Sequence, residues 1–363
     1  MSRAWKNVKP ALSAEVLDIL ENEFKFHKMT PVQAVTLPLF LQHKDVCVQA
    51  QTGSGKTLAF IVPIVEILLR RTTPLNPHQV GAIVMSPTRE LATQIATVAR
   101  RFVNLIPTLS LLSLIGGTGT QQDEDQFTNV GGNIVIATPG RLKHTFATLQ
   151  TFNCSQLEVL VLDEADRLLD LGFELTITNI LRRLPKQRRT GLFSATQTQE
   201  VKQLAKAGLR NPVNVKVDVK KKSNPSASNS SSSSSSSSEL SSSVPETLSN
   251  HYQIVRPERK LDHFVSYLLK HAATEKVITF FLTGAFVDYM ATLLPQISAL
   301  KHIKFFALHG KMQAKKRVRT YEAFVKEPVG VLLCTDLAAR GLDVPDVTTI
   351  LQYDAPQVYI NLI

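Results

Sequence analysis

The sequence predicts an α/β protein in which two parallel-sheet lobes are joined by a flexible tether. Three observations support this fold class. Short apolar runs rich in β-branched residues alternate with stretches of helical periodicity. Most of these runs lack in–out alternation, which is typical of strands that are buried on both faces of a sheet. A serine-rich segment interrupts the pattern once, and the alternation resumes after it.

Predicted strands and helices alternate along both halves of the chain. In the first half the strands are DVCVQA (45–50), VGAIVMSP (80–87), LSLLSLIGG (109–117), NIVIATP (133–139), LEVLVLDE (157–164) and RTGLFSAT (189–196). The longest helical patterns there are GKTLAFIVPIVEILLRR (55–71) and RELATQIATVARRFV (89–103). In the second half the strands are HYQIVR (251–256), KVITFFL (276–282), IKFFALHG (303–310), GVLLCTD (330–336) and VTTILQYD (347–354).

The serine-rich tether sets the expected domain boundaries. Residues 1–30 form an N-terminal segment, 31–217 the first lobe, 218–250 the tether and 251–363 the second lobe. Serine at this density cannot bury a core, so we interpret the tether as a flexible linker. Phosphorylation of its serines is the alternative functional interpretation.

Composition and charge narrow the class of function. No apolar run reaches the roughly 18 residues that a membrane span needs, and the start of the chain lacks the order of a secretory signal. The 3 cysteines show no metal-ligand spacing, and we expect each to be reduced in the core of a cytosolic or nuclear protein. The net charge of +11 favours a polyanionic partner, most simply nucleic acid, over a surface that is basic only for solubility.

The segment AQTGSGKT (50–57) predicts a phosphate-binding loop. It follows a predicted strand and opens a predicted helix near Lys56. Its glycines let backbone N–H groups approach a phosphate chain, Lys56 can reach the terminal phosphates, and the hydroxyl of Thr57 can ligate Mg²⁺. Ala50 stands where the general pattern has glycine. The alternative is a glycine turn without a ligand.

The run VLVLDEAD (159–166) ends a buried strand at two carboxylates, which must meet a partner because unpaired burial is costly. A nucleotide-bound Mg²⁺ needs such an acid, and we assign this role to Asp163, acting through water. Glu164 would then orient and activate the attacking water. Asp166 would couple this site to a neighbouring motif. The alternative is that the acids cap the following helix.

With these motifs, nearly the whole chain resembles the DEAD-box RNA helicases, a family with two RecA-like lobes. FKFHKMTPVQ (24–33) is similar to the family's adenine-reading motif, although Lys25 replaces a usual glycine. Trp5 lies near the position of an adenine-stacking aromatic, with packing in the core or on the surface as the alternative. The resemblance implies ATP as cofactor with Mg²⁺, and Lys56, Asp163 and Glu164 as catalytic residues. The implied ATP-binding residues are Phe26, Gln33, Ala50, Gln51, Thr52, Gly53, Ser54, Gly55, Lys56, Thr57 and Asp343.

The same resemblance implies residues for coupling and for RNA. The coupling residues are Asp166, Ser194, Ala195, Thr196 and Arg340. The RNA-binding residues are Pro87, Thr88, Arg89, Gly116, Gly117, Thr138, Pro139, Gly140, Arg141, Thr283, Gly310 and Thr335. Loops rich in Gly, Thr and Arg at strand ends suit contacts to sugar and phosphate. For Arg89 and Arg141 the alternative is a surface salt bridge.

Finer phrases are similar to the helicases of large ribosomal subunit assembly: PKQRRTGLFSATQT, LDLGF, GLRNP, LHGKM and LQYDAP. This branch implies ATP hydrolysis coupled to local duplex unwinding, pre-ribosomal RNA as substrate, proteins of the pre-ribosomal particle as partners, a monomer, no membrane, and the nucleus and nucleolus as location. The family's HRxGR segment does not occur in the 363 residues, so we expect an incomplete second lobe. The alternative function is therefore a hydrolysis-deficient module that binds ATP and RNA, and a DNA-directed translocase is a third. Lys316 also replaces a family arginine, which loses the planar fork.

Overall fold

The computed structural model describes residues 3–51, 53–116, 120–217, 249–335, 344 and 346–355. The chain divides into two compact units, Met1–Ser243 (unit 1) and Val244–Ile363 (unit 2). Most of the predicted tether, residues 218–248, lies outside the described residues.

Unit 1 alternates strands and helices along the chain. Its strands are β1 Val46–Gln49, β2 Ala82–Met85, β3 Leu111–Leu114, β4 Ile134–Ala137, β5 Val159–Leu162, β6 Arg189–Ser194 and β7 Val213–Lys216. Its helices are α1 Ala14–Asp18, α2 Pro31–Leu41, α3 Lys56–Leu69, α4 Arg89–Val103, α5 Thr120–Val130, α6 Pro139–Thr148, α7 Ala165–Asp170, α8 Glu174–Arg183 and α9 Gln199–Gly208. A π-helical turn, Ile19–Glu23, extends α1.

The seven strands of unit 1 form one parallel sheet in the order β3-β4-β2-β5-β6-β1-β7. Both faces of this sheet are covered, as its apolar strands predict. In β5, Val159 and Val161 belong to one hydrophobic cluster, whereas Leu160 and Leu162 belong to the other. The predicted α/β class with buried parallel strands is therefore confirmed.

The central helix α3 carries the phosphate loop at its beginning. Residues from Leu58 to Leu68 are buried, because α3 packs on α2 and α4 and shares one hydrophobic cluster with strands β1 and β5. Glu66 within it is 1% exposed and accepts hydrogen bonds from the backbone N–H and hydroxyl of Ser13 at 3.0 and 2.9 Å. These bonds fix the N-terminal segment on α3.

The structure shows how two residues of the N-terminal segment, Trp5 and Lys25, are accommodated. Trp5 is 1% exposed and packs in the core of unit 1, so core packing is the correct alternative for it. Lys25 follows the π-helical turn with φ +56°, in the left-handed region that favours glycine. Glycine, which the resemblance implies at this position, adopts this conformation without strain.

Unit 2 contains β8 Lys276–Phe281, β9 Phe305–Leu308, β10 Gly330–Thr335 and β11 Thr349–Gln352, with helices α10 Lys260–His271, α11 Gly284–Leu293 and α12 Ala314–Lys326. The strands form a parallel sheet in the order β11-β8-β10-β9. Val277 and Leu333 pack in one cluster of unit 2, and Ile278 and Leu332 in another. The second lobe thus repeats the architecture of the first on a smaller scale.

The predicted and observed strands differ in two places. HYQIVR (251–256) is not a strand, and its Tyr252 and Ile254 side chains are 92% and 91% exposed. In the described part of unit 2 this segment pairs with neither edge of the sheet, and an alternating pattern needs a neighbouring strand to become one. Conversely, β7 was not predicted, because only two of its four residues, Val213 and Val215, are apolar.

All three cysteines are free and buried, as the sequence predicts. Among the described helices, none is long and apolar enough to cross a membrane.

Candidate nucleotide site and nucleic-acid interface

The order of strands in unit 1 divides the predicted site residues into two adjacent groups. Apart from Phe26 and Gln33, which precede β1, the nucleotide residues lie at the ends of β1, β5 and β6, which are consecutive in the sheet. The RNA residues follow β2, β3 and β4, which are also consecutive. Because all the strands are parallel, both groups lie at the carboxyl edge of one sheet. Ligands of open α/β sheets bind at this edge.

The phosphate loop forms a tight turn between β1 and α3. Gly53 and Gly55 have φ +74° and +91°, and a Cβ on Gly55 would lie 2.7 Å from Gln33 Nε2. Lys56 is 7% exposed, and its Nζ donates to the carbonyl oxygen of Ala50 at 3.0 Å. Ser54 Oγ donates to the carbonyl oxygen of Gln51 at 2.7 Å. The loop thereby presents the N-terminus of a long helix, whose free N–H groups and dipole favour phosphate.

The predicted adenine motif is tied to this loop. Gln33 is 3% exposed; its Oε1 accepts from the backbone N–H of Thr30 at 2.8 Å, and its Nε2 donates to the carbonyl oxygen of Gly55 at 3.0 Å. An amide has two N–H donors and two acceptor lone pairs, so each end retains one for a ligand. Phe26 is 47% exposed and lies 5.9 Å from the ring of Phe24, which leaves a face for a base.

The two acids follow β5 directly and are almost fully buried. Asp163 and Glu164 are 3% and 5% exposed, and the Oδ1 atom of Asp163 has no hydrogen-bond partner. Burial raises the pKa of Asp163 to about 7, Lys56 acts against this shift, and Glu164 adds to it. Glu164 has φ +47° and forms an ion pair with Arg167 at 3.1 Å. Neither acid caps α7 through its side chain, since the residue at the cap, Glu164, makes no such bond.

Asp166 connects the acid motif to the strand end of β6. Its Oδ2 accepts from the N–H and the hydroxyl of Thr196 at 3.0 and 2.8 Å, and its own N–H donates to Ser194 Oγ at 3.4 Å. Ser194 is fully buried and its carbonyl oxygen accepts from the N–H of Ala50 at 3.1 Å. Ala195 lies half-buried between them. The predicted coupling segment therefore contacts both the acid motif and the phosphate-loop strand.

The predicted RNA residues of unit 1 lie together at the ends of β2 and β3. Pro87 is buried, and Thr88 caps α4 by accepting the N–H of Leu91 at 3.3 Å. The exposed Arg89 lies against Gly116, where an added Cβ would be 3.2 Å from its guanidinium. The segments around Arg89 and Gly116, which are distant in sequence, thus form one surface with the Arg89 guanidinium at its centre.

Arg141 begins the adjacent part of this surface after β4. Thr138 and Pro139 are buried and Gly140 is exposed at the start of α6. The Arg141 Nε donates to Asp123 Oδ2 at 2.6 Å, and both side chains are about nine-tenths buried, at 11% and 8% exposed. This ion pair is buried and does not lie on the surface, so the RNA role of Arg141 stays a prediction, and an RNA phosphate at this guanidinium would share it with Asp123.

In unit 2 the predicted RNA residues also lie at the carboxyl edge of the sheet. Thr283 follows β8 and caps α11 by accepting the N–H of Phe286 at 3.2 Å, Gly310 follows β9, and Thr335 ends β10. The remaining predicted residues lie outside the described residues: Thr52, Gly117, Arg340 and Asp343.

Two side chains that bind the predicted residues were not anticipated. Arg167 could have been found from its i+3 spacing to Glu164 on a predicted helix. Asp123 carries no local signal, because it meets Arg141 only through the packing of two helices.

The acids suit a metal that arrives with a ligand. Among the described residues there is no group of three or more His, Cys, Asp or Glu side chains that could hold an ion alone. Mg²⁺ commonly uses one or two protein oxygens together with substrate phosphates and water. Thr57 beside the loop and the unpartnered Asp163 oxygen fit this mode.

Comparisons with known proteins agree with this geometry. A family model described as DEAD/DEAH box helicase matches residues 30–204, and one described as helicase conserved C-terminal domain matches residues 259–363. DEAD-box ATP-dependent RNA helicase 18 of Arabidopsis thaliana is 46% identical over 354 residues, which are 97% of this chain and 58% of the relative. ATP-dependent RNA helicase DDX55 of Mus musculus is 47% identical over 358 residues, 97% of this chain and 56% of the relative.

Among solved structures, Mss116p bound to ssRNA and AMP-PNP is 28% identical with a TM-score of 0.75, covering 95% of this chain and 67% of that chain. The chain thus spans less than two thirds of the length of the two curated relatives, at 58% and 56%.

Proposed function

Because the chain belongs to the DEAD-box family of helicases, with two RecA-like parallel-sheet lobes, we propose that it is an ATP-dependent RNA helicase. ATP would bind at the phosphate loop, single-stranded RNA at the neighbouring loops, and hydrolysis would accompany local strand separation.

One observation carries this proposal: the nucleotide motifs of unit 1 lie beside a set of phosphate-directed loops on the same sheet edge. The strands β5 and β2 meet between the two sets, where the N–H of Asp163 donates to the carbonyl oxygen of Met85 at 2.9 Å. Thr88 and Arg89 follow Met85 within four residues. A ligand at one set can therefore affect the backbone that carries the other.

The residues of the nucleotide set have distinct tasks in this proposal. Lys56 leaves the Ala50 carbonyl oxygen to hold the terminal phosphates. Bound Mg²⁺ would neutralise phosphate charge, held by the Thr57 hydroxyl and, through water, by Asp163. Glu164 would accept a proton from the attacking water, and its ion pair with Arg167 orients the carboxylate.

Phosphate release tests this assignment, measured with and without RNA for the 363-residue chain and for a version extended through an HRxGR segment. We expect RNA to stimulate the extended version, and Glu164→Gln to slow it by about 100-fold while ATP and RNA affinities are kept. Glu174→Gln, the same change at an exposed position on α8, should have no effect.

The possible results separate the alternatives. Loss of Mg²⁺–ATP binding in Glu164→Gln with high residual turnover would mean that Glu164 is a metal residue. Binding of ATP and RNA without stimulated release in either version would support the binding-module function. Stimulation by DNA as strong as that by RNA would support a translocase.

We further propose pre-ribosomal RNA as the substrate, proteins of the pre-ribosomal particle as partners, and the nucleolus as the location, with the protein acting as a monomer. The support is the similarity of the five phrases quoted above to helicases of large-subunit assembly. Crosslinking followed by sequencing of the bound RNA tests the substrate, and a fluorescent fusion tests the location. RNA dominated by messenger sequences would contradict this proposal.

A further inference from the structure

A second cleft opens at the opposite end of the three strands that carry the nucleotide motifs. Its walls come from residues that precede β1, precede β5 and begin β6, together with the loop after α3. Its volume is about 460 Å³, within the range of sites that bind small ligands or anchoring side chains. The cleft belongs to unit 1 alone and is separate from the predicted nucleotide and RNA residues.

Three arginines define the chemistry of this cleft. Arg71 and Arg189 both form ion pairs with Glu158, the second at 3.1 Å. Arg71 also donates to Gln156 Oε1 at 2.9 Å and to the carbonyl oxygen of Thr73 at 3.2 Å, which fixes its guanidinium. The bonds to Gln156 and Thr73 hold the Arg71 guanidinium independently of Glu158 before any ligand arrives, and a preorganised group loses less entropy on binding.

The charge of the cleft is not balanced by its own acids. Arg70 pairs with the buried Glu66 at 2.7 Å, so the three arginines meet two carboxylates, and His43 adds an imidazole beside Arg189. The Nε of Arg189 is buried and has no hydrogen-bond partner. A carboxylate accepts two parallel N–H bonds from a guanidinium, and in Arg189 the terminal nitrogens must supply them because the Nε is buried.

The floor of the cleft is aliphatic. Leu41 and Ile67 line it and are only 5% and 6% exposed. Among the described residues that line the cleft, none is Phe, Tyr or Trp. Single-stranded nucleic acid gains much of its affinity from bases stacked on aromatic rings, so this floor suits an aliphatic side chain better than a base.

We propose that this cleft is a docking site for an acidic protein segment that carries an aliphatic residue beside its carboxylates. The aliphatic side chain packs on Leu41 and Ile67, and the carboxylates bind Arg71 and Arg189. Glu158 competes internally for the same guanidinium groups. The site lies at the amino ends of β1, β5 and β6, so a partner can bind there while the carboxyl edge stays open for nucleotide.

The probe is a short fluorescein-labelled peptide of Asp and Glu with a central Leu-Leu pair, and binding to the full chain is measured by anisotropy. A peptide with Asn and Gln in place of the acids is the control probe. Arg71→Gln should weaken binding of the acidic peptide about tenfold, because one bidentate partner is lost. Arg100→Gln, the same change at an exposed position on α4, should leave it unchanged.

Two further variants separate docking from structural support. Glu158→Gln removes the internal competitor and should strengthen peptide binding several-fold, whereas a residue needed only for stability would weaken it. Thr73→Glu adds a carboxylate at an exposed position of the rim and should weaken binding without removing a contact. Thermal unfolding followed by Trp5 fluorescence confirms that each variant is folded.

Several results would overturn the proposal. Wild-type protein could bind the acidic and neutral peptides equally, or Glu158→Gln could leave binding unchanged or reduce it in a folded protein. The affinity of an oligouridine for the same variants tests the alternative that the cleft binds RNA. If Arg71→Gln weakens oligouridine more than the peptide, the cleft contacts RNA and the docking proposal is wrong.

Discussion

The nucleotide-free protein should be more stable when Asp163 is replaced by asparagine. The carboxylate is 3% exposed, its Oδ1 has no hydrogen-bond partner, and burial raises its pKa from 3.8 to about 7. Asp163→Asn keeps the shape and removes the charge. The residue therefore lowers stability in the absence of ligand, which is common for groups placed for function.

The magnitude follows from the pKa difference. One pKa unit corresponds to about 1.36 kcal/mol, so a rise from 3.8 to about 7 costs at most about 4 kcal/mol at high pH. The folded pKa is higher than the unfolded one, so the folded state binds the proton more tightly. The contribution of Asp163 to stability is therefore greatest below pH 3.8 and is lost as the pH rises through about 7.

Urea unfolding at pH 5.5 and 8.5 measures this effect. The single tryptophan of the chain, Trp5, is buried in unit 1 and reports the unfolding of that unit. We expect Asp163→Asn to raise the free energy of unfolding by about 2–3 kcal/mol at pH 8.5, and by about 2 kcal/mol less at pH 5.5. The variant should also lose Mg²⁺-dependent ATP binding.

Asp45 provides the matched control. It is 6% exposed, but its two oxygens accept the N–H groups of Thr190 and Arg210 at 2.8 and 2.7 Å. Asp45→Asn should therefore destabilise unit 1 by about 2–3 kcal/mol. If Asp163→Asn gave no gain at pH 8.5, or the same gain at both pH values, the argument from burial of its charge would be refuted.

Two further predictions concern backbone conformation. Lys25→Gly should raise the free energy of unfolding of unit 1 in urea by about 0.5–1 kcal/mol, because φ +56° strains lysine. Lys28→Gly, at an exposed position without positive φ, should not raise this free energy. Gly55→Ala should weaken ATP binding at least about tenfold, because the new Cβ would lie 2.7 Å from Gln33 Nε2 at φ +91°. Gly140→Ala, where a Cβ meets nothing within 4 Å, should leave ATP affinity unchanged, and equal losses in both variants would contradict the steric explanation.

The sequence predicts well those features that depend on local pattern. The strands β2 and β5 are continuous apolar runs, and a sheet covered on both faces is the arrangement that buries them. The helix predicted over 89–103 forms with these bounds, because Thr88 caps its start and its apolar residues share one face. The phosphate loop was predicted because glycine spacing, strand and helix are all consecutive in the chain.

The features that the sequence did not predict correctly depend on contacts between residues that are distant in the chain. HYQIVR has the composition of a strand, yet it has no strand beside it among the described residues. The pairing of Arg141 with Asp123 joins two helices, and no spacing rule predicts it. The basic cleft is likewise assembled from four segments far apart in sequence, so only the fold brings Arg71 to Arg189.

The bond between the Asp163 N–H and the Met85 carbonyl oxygen links the strand that carries the acids to the strand that leads to Thr88 and Arg89. It therefore sets how fast a change at the nucleotide residues can reach the predicted RNA residues. Such a bond lies inside a rigid parallel sheet, where backbone fluctuations occur in picoseconds to nanoseconds and large displacements require local unfolding. A nucleotide that orders Asp163 should slow hydrogen exchange at this amide and at the start of α4, even in unit 1 alone. If the proposed function is correct, RNA affinity would then be adjusted by stiffening of the sheet edge within unit 1 itself.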